Sequence, residues 1–557
     1  MNNEKGQALL TVLLVSLIFT VLGLTIVAAS INSNQRTGVR IDDIELTAEA
    51  TRTLNEAIAV FSQKVSSNIN LSEPNLLSGK LDNELLLEIR TDLTNKFSEN
   101  LEIEDITDNG EFGAINKSKH LTRIFRFSYT NENTDGRAKI IKKVSRIVYL
   151  APTPSFLKYA IGSGPEGKLY LNGATEIVGD LHSGFIFTDD LAWFTDTDDS
   201  LRRSNETLLP RILPNNDQTG GNIFYREEIN NLTDSPSIIK NINDHFDEPK
   251  PTIIKDTADF ISVNFESTLA QIFNDIIGNS KFTASDFTST YSMTNAVNEL
   301  KNDSLVQQID YCEETSPQGA QRAQAYIYNS NIIQGNSCNH FLENSWFIID
   351  GDLQIPRDTE IPGNIIVTGN LIIQGNEFDN SQPDKLEVEE DDNIYFNSTI
   401  YVMGKTSITN TNIKRLNNAQ SSKLLLLTKG NLSIYRINEF NTNNKDIEPL
   451  DAFFYTDSEA DLYGVASLFK INGGLFANKK LTVNAIRQNS FSKTTNDLKS
   501  VIDPVILQRN SESRFFVEHD RSVLLDPDRL NSLPRVDKYQ LLYDQVIVEN
   551  GEVSSSP

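Results

Sequence analysis

Asp196, Asp198 and Asp199 stand beside Arg202 and Arg203 in DTDDSLRR, the densest local set of groups that could hold a cation or attack a glycosidic bond. Read as a calcium loop starting at Asp196, the position that must be glycine for the sharp turn is Leu201, and the position of the closing bidentate glutamate is Thr207. The stretch therefore reads as a solvated acidic loop, as do Glu389, Glu390, Asp391 and Asp392. Histidine is scarce, at His120, His182, His245, His340 and His519. Cys312 and Cys338 lie 26 residues apart with no CxxC and no histidine pattern, so no metal site is expected. His340 is close to Cys338, but no third residue can be named to orient a nucleophile–base pair. There is no GxSxG, no HExxH and no phosphate-binding glycine loop. Paired carboxylates of a glycosidase could still meet across a stacked fold, yet 76 acidic residues produce such pairs by chance. Trp193, Tyr170 and Trp346 would serve as stacking platforms for a glycan, although lone aromatics more commonly fill cores. No catalytic residue, metal or cofactor is assigned, and the chain is not expected to be an enzyme.

The 557 residues carry a formal net charge of −26, which repels phosphate backbones and disfavours nucleic-acid binding over a broad face. What could position a functional surface begins at the amino terminus. No charge occurs between Lys5 and Arg36, and Ala8 to Ile31 is an apolar run of 24 residues. About 20 suffice to cross a bilayer, whereas a cleaved secretory signal has a shorter apolar core of roughly 7–15. Lys5 ahead of the run favours a single pass with the amino terminus inside and the rest outside. Apolar residues then recur at Ile41, Ile44, Ala48, Leu54, Ile58, Phe61 and Val65, which predicts that the helix continues with one core-facing stripe. Gln7 to Val65 as one helix would run on the order of 90 Å.

The words KGQALLTVLLVSLIFTVLGL, with a lysine and glycine immediately before a polar residue and an unbroken apolar helix, resemble the signal of type IV prepilins. Together with TAEAT (Thr47–Thr51), the opening 65 residues are most similar to the PilX N-terminal family of minor pilin-like proteins. The resemblance implies cleavage between Gly6 and Gln7 by a prepilin peptidase, methylation of Gln7, and association with pilin-like subunits. Major pilins carry glutamate at the fifth mature position, where this chain has Thr11, so the resemblance points to a tip or priming subunit, or to one that never polymerises. Gly23, Ala28 and Ala29 would permit close helix packing.

Beyond the helix, Leu81–Phe97 has a second helical pattern, and TRIFRFSYT and KIIKKVSRIVYL read as a hairpin turning at Asp135-Gly136. From about Phe156, glycine-led strands recur: GKLYL at Gly167, GDLQI at Gly351, GNLII at Gly369 and GNLSI at Gly430, with looser copies at Gly363, Gly404 and Asn478. The step from Gly351 to Gly369 is 18 residues, one turn of a β-solenoid; an immunoglobulin-like sandwich is the competing all-β reading. The expected fold is mainly β: a leader at 1–6, a transmembrane and pilin-like helix at 7–66 spanning the membrane from Ala8 to Ile31, a small α+β neck at 67–152, a β-solenoid head at 153–490 with a helical insertion at about 195–325, and a tail at 491–557. Were the head outside the cell, Cys312 and Cys338 could pair; two free thiols is the alternative. The expected role is a minor pilin-like subunit of a type IV pilus or pseudopilus, its acidic extracellular head binding a glycan or protein. A membrane-tethered β-helix enzyme acting on extracellular polysaccharide is the alternative.

Overall fold

The computed structural model describes residues 4–71, 76–97, 100–109, 117, 121–133, 140–195, 201–203, 207–215, 221–231, 242–257, 259–309, 325–328, 346–375, 392–416, 422–439, 447, 449–487, 490–494, 500–504, 512–520, 532–543 and 547–550. The chain divides into two compact units. One, the neck, comprises Met1–Asp108, Thr122–Leu150 and Leu541–Pro557; the other, the stack, comprises Asn109–Leu121 and Ala151–Gln540. The stack is thus inserted into the sequence of the neck, and the stretch set apart as a tail supplies strands to both: Phe515–His519 to the stack, Ile547–Asn550 to the neck sheet.

The neck is built on α1 (Glu4–Asn68), which runs unbroken through Gly38. Its buried face comprises Leu46, Ala50, Leu54, Ala57, Ile58, Phe61 and Val65, spaced three or four apart except for the adjacent Ala57 and Ile58. The expected stripe was out of phase in its first half: Ile41, Ile44 and Ala48 are exposed. Ile44 is two residues from Leu46 and so lies on nearly the opposite side of the helix. A π-helical turn (Leu81–Leu85) leads into α2 (Leu86–Phe97); both bury leucines, and α2 packs against α1. Strand β1 (Leu101–Asp105) pairs antiparallel with β2 (Arg123–Asn133), and β2 with β3 (Ile140–Ala151) from Arg123↔Leu150 to Asn133↔Ile140. The predicted hairpin is present, while its Asp135-Gly136 turn lies outside the described residues. Phe61 is fully buried, edge-on to Phe125 at 5.5 Å and to Phe127 at 5.2 Å. Arg123, with no exposed side-chain surface, makes a two-pronged contact with Asp82 at 2.6 and 2.7 Å.

The stack holds a parallel sheet whose strands come in two faces. On the first, Trp346–Ile349, Asn364–Val367, Ser398–Val402, Leu424–Thr428, Leu450–Thr456 and Phe469–Ala477 pair successively in register. On the second, Leu353–Pro356, Leu371–Gln374, Thr406–Thr409, Leu432–Tyr435, Glu459–Gly464 and Lys480–Ala485 do the same. Each strand thus meets its counterpart in the next pass of the chain, a pattern compatible with a solenoid. Ile355, Ile373, Ile408, Ile434, Leu462 and Val483 form one buried aliphatic column between the faces.

The glycine-led words acquire a physical reason here. Gly369 N donates to Gly351 O, Gly404 N to Gly369 O and Gly430 N to Gly404 O, at 2.8, 2.8 and 2.9 Å. A Cβ at Gly404 would lie 2.5 Å from Gly369 O, and one at Gly430 2.5 Å from Gly404 O, so the column admits no side chain at these positions, while Gly351 has a φ of +135° that favours glycine. The polar residue after each glycine extends the column: Asp352 Oδ1 accepts from Asn370 N at 2.6 Å, and Asn370 Oδ1 from Lys405 N at 2.9 Å. Gly363 does not belong to it, because its strand lies on the first face.

The order of stacking departs from the order of the chain. Phe469–Ala477 and Lys480–Ala485 pair next with Ile161–Ser163 and Lys168–Gly173, and these with Leu181–Asp189. The region 195–325 does contain helices, α3 (Phe265–Ile277) and α4 (Thr290–Leu300). It is not wholly a helical excursion, since Asn222–Asn231, Thr252–Lys255 and Val306–Ile309 belong to the parallel sheet. Helix α3 is capped by Asn264, whose side chain accepts from Ser267 N, and ends at Gly278 in the left-handed region. Phe265 meets Tyr401 and Tyr455, and Glu266 pairs with Lys429. First-face strands are therefore buried on both sides and read LLLLT, whereas the second face alternates, as in LSIY.

Truncating Phe61 to Ala should cost the neck about 3–5 kcal/mol. Ile44→Ala, on the exposed side, should change stability by less than about 0.5 kcal/mol. Denaturant titration of the detergent-solubilised chain, followed by hydrogen exchange of β2 amides, measures both.

Candidate membrane and assembly interface

From Leu9 to Ile31 α1 is apolar and exposed along its whole circumference, with Leu9 at 70%, Phe19 at 69% and Ile31 at 54%. That stretch rises about 34 Å, against a hydrocarbon core of about 30 Å. It is the one helix among the described residues that is long and apolar enough to cross a membrane. Two hydroxyls within it are satisfied locally: Thr20 donates to Ser16 O at 2.8 Å and Thr25 to Val21 O at 3.0 Å. Such back-bonding removes the cost of carrying threonine into an apolar medium. A Cβ at Gly23 would meet nothing within 4 Å, and Ala28 and Ala29 are exposed. Gly23 and Ala28 are about 140° apart around the helix, so these small residues face different sides rather than forming one stripe. The surroundings of Gly6, Gln7 and Ala8 lie outside the described residues, as do Cys312 and Cys338.

The polar half of α1 is fixed to the neck sheet. Lys142 pairs with Asp43 at 2.6 Å, Arg146 donates to Asn55 at 2.9 Å, and Asn131 to Glu49 at 3.2 Å. One rod thus has an unpartnered apolar half and an anchored amphipathic half.

The groups with chemical potential are not gathered into one site. Asp196, Asp198, Asp199 and Glu389, Glu390, Asp391 lie outside the described residues; Arg202 and Arg203 stand in a short strand opposite Trp193 and Phe194. Asp392 begins a strand 4.0 Å from Arg357. Tyr170 stacks on Phe187 at 4.7 Å on the second face, Trp346 leans on Tyr401 at 6.1 Å on the first, and Trp193 N donates to Asn484 Oδ1. His182, His245 and His519 are buried and bonded to Ser163 O, Thr188 Oγ1 and Leu157 O at 2.9, 2.8 and 2.9 Å. His120 and His340 lie outside the described residues. Among the described residues no three His, Cys, Asp or Glu side chains converge as a metal site.

Sequence reading missed the buried ionic groups of the stack. Arg487, fully buried, lies 3.2 Å from Asp247 and 3.5 Å from Glu176, and Arg211 approaches the same two carboxylates at 3.5 and 3.8 Å. Lys423, also fully buried, pairs with Asp520 and is near Asp451. These partners are scattered along the chain, and only the strand register brings them together.

No protein-family model and no curated protein matches the sequence. Among solved structures the chain is similar to the competence-associated pilin ComZ from Thermus thermophilus, at 10% identity over 81% of this chain and 88% of that one, with a TM-score of 0.23. At that score the likeness carries no argument about the fold.

Val21→Arg places a charge near the middle of the apolar stretch and should disfavour insertion by roughly 2.5–3.5 kcal/mol; carbonate extraction of membranes should release more of this variant than of Thr37→Arg. A second expectation concerns pH. Burial holds the His245 imidazole below its usual 6.5, against the opposing pull of Asp244. The unfolded chain then binds a proton at a higher pH than the folded one, so stability falls as pH drops through 6.5 and levels off below the folded value. His245→Asn should flatten that portion of the profile, read as denaturation midpoints between about pH 7.5 and about pH 5.5.

Proposed function

We propose that the chain is a structural envelope subunit of the minor-pilin kind. The observation that carries this reading is the division of α1 into an exposed apolar half, Leu9–Ile31, and a half locked into the neck through Leu46–Val65. Such a helix holds the protein in the membrane with its amino terminus inside, and offers the same surface to the helices of other pilin-like subunits when it leaves the bilayer. The similarity of the opening residues to the PilX N-terminal family and to prepilin signals supports the same assignment and adds a prepilin peptidase as a partner, acting between Gly6 and Gln7. Thr11 in place of glutamate suits a tip or priming position in a type IV pilus or pseudopilus. The β-solenoid head then lies outside the cell, where Cys312 and Cys338 can pair. Its acidic surface, the larger part of the net charge of −26, presents itself for adhesion to a glycan or a protein. On this reading the role is structural, not enzymatic.

Mass spectrometry of the chain purified from membranes of a processing-competent host should find methylated Gln7 as the first residue, and Gly6→Leu should leave the chain at full length. An unprocessed amino terminus in the native chain would reduce the molecule to a plain signal anchor.

A further inference from the structure

Three neighbouring strands and one turn converge on a buried amine. Lys423 immediately precedes the strand Leu424–Thr428, Asp451 lies in Leu450–Thr456 and Asn472 in Phe469–Ala477. Leu424 faces Ala452 and Asp451 faces Asn472, so the three polar residues form one column across the parallel register. Asn472 in turn faces Glu518 of Phe515–His519, and Asp520 follows that strand directly. The Lys423 side chain has no exposed surface, and those of Asp451 and Asp520 are 10% and 18% exposed.

Lys423 Nζ is in contact with Asp520 Oδ2, lies 3.8 Å from Asp451 Oδ1 and donates to Asn472 O at 3.1 Å. The two carboxylates are held differently. Asp451 Oδ1 accepts from Arg415 Nε and from Asn472 Nδ2, each at 2.8 Å. Asp520 is the carboxylate that touches the amine.

We propose that Lys423 Nζ and Asp520 Cγ become joined by an amide bond formed within the folded stack. In a site shielded from water, transfer of the ammonium proton to Asp520 replaces two desolvated charges by a neutral amine and a carboxylic acid. Burial also pulls the Lys423 amine below its ordinary range, with Asp520 opposing most strongly. The Nζ lone pair adds to Cγ of the acid, and the N–C bond forms. Asp451 takes the proton lost by Nζ and returns it to the departing hydroxyl; the C–O bond breaks and one water leaves. No oxidant, metal or co-reactant enters the balance. The bond would close the loop from residue 423 to 520, fastening the strand Phe515–His519, which pairs both with Phe469–Gly473 and with Glu176–Val178. A covalent tie at that place suits a head that is loaded mechanically.

The test is peptide mapping of the full chain, purified in detergent and digested after denaturation. The expected result is one branched species containing Lys423 and Asp520, lighter than the sum of its two peptides by one water, with no tryptic cleavage after Lys423. Lys423→Arg keeps the charge but supplies no amine that can be acylated in this way, and should restore two separate peptides of full mass. Asp451→Asn should leave most of the chain unlinked. Recovery of separate, full-mass peptides from the native protein overturns the proposal, and so does a water lost from Asp520 alone as a cyclic imide with Lys423 still cleavable. Complete linkage in Asp451→Asn would overturn the proton-transfer role of Asp451. Because the readout is confined to these peptides, it is independent of processing at Gly6.

Discussion

The seating of Lys480–Ala485 on Lys168–Gly173 is the constraint on which the stack depends. Six residue pairs align there, from Lys480↔Lys168 to Ala485↔Gly173, joining the last long pass of the chain to the first. The seam is specified as well as paired. Asn172 Nδ2 donates to Asn484 Oδ1 at 3.1 Å inside the protein, and the same oxygen accepts from Trp193 N at 3.0 Å. Gly173 has φ +80°, and a Cβ there would sit 2.3 Å from Ala485 O, so the close approach requires glycine. Without the seam, the strands at 161–189 would lose the neighbour that covers one edge, and an uncovered edge is a template for pairing with other chains. The contact spans more than half the sequence, which makes its formation slow and late relative to local pairing.

The neck meets a different demand. Its helix must be apolar on all sides over one half and on one side over the other. Leu9–Ile31 has no polar face to misplace, whereas beyond Arg36 polar residues of α1 meet partners on the sheet, Asp43 pairing with Lys142 and Glu49 accepting from Asn131. The fully buried Arg123 is tolerable only because Asp82 takes two of its N–H groups and Thr122 O a third, leaving the guanidinium charge compensated. That cluster ties β2 to the π-helical turn and so fixes the sheet against the helical layer.

Much of this was legible in the sequence where a local rule sufficed. The glycine-led words marked the backbone column of the stack, because a Cβ has no room at Gly369, Gly404 and Gly430, and Gly351 takes a φ of +135° that favours glycine. The contrast between LLLLT and LSIY recorded which strands are covered on both sides. The phase of α1 was readable only from Leu54 onward, since Ile41 and Ile44 are apolar without being buried, as residues near a membrane or another helix can be. Two features left no local trace. The seam depends on residues at 161–173 and 469–485 that resemble every other repeat, and the ionic groups around Arg487 and Lys423 are assembled from single charges on separate passes. Of the interface itself, the apolar length was plain, while the distribution of Gly23, Ala28 and Ala29 around the helix emerges only when their spacing is projected on its axis.

The buried charges and the repetitive core belong to one argument. A column of Ile355, Ile373, Ile408, Ile434, Leu462 and Val483 is nearly indifferent to which strand meets which, because seating one pass on a copy other than its own neighbour still sets aliphatic on aliphatic. Hydrophobic burial therefore drives stacking without fixing the order of the passes. Arg487 with Glu176 and Asp247, and Lys423 with Asp451 and Asp520, each occur once. Any slip separates them and leaves uncompensated charge in the interior, at a cost of about 3–5 kcal/mol for each broken pair. The ionic groups need add little to the stability of the correct arrangement. Their effect is to raise the energy of its near copies, and in a fold made of repeats that difference is what makes one arrangement the native one.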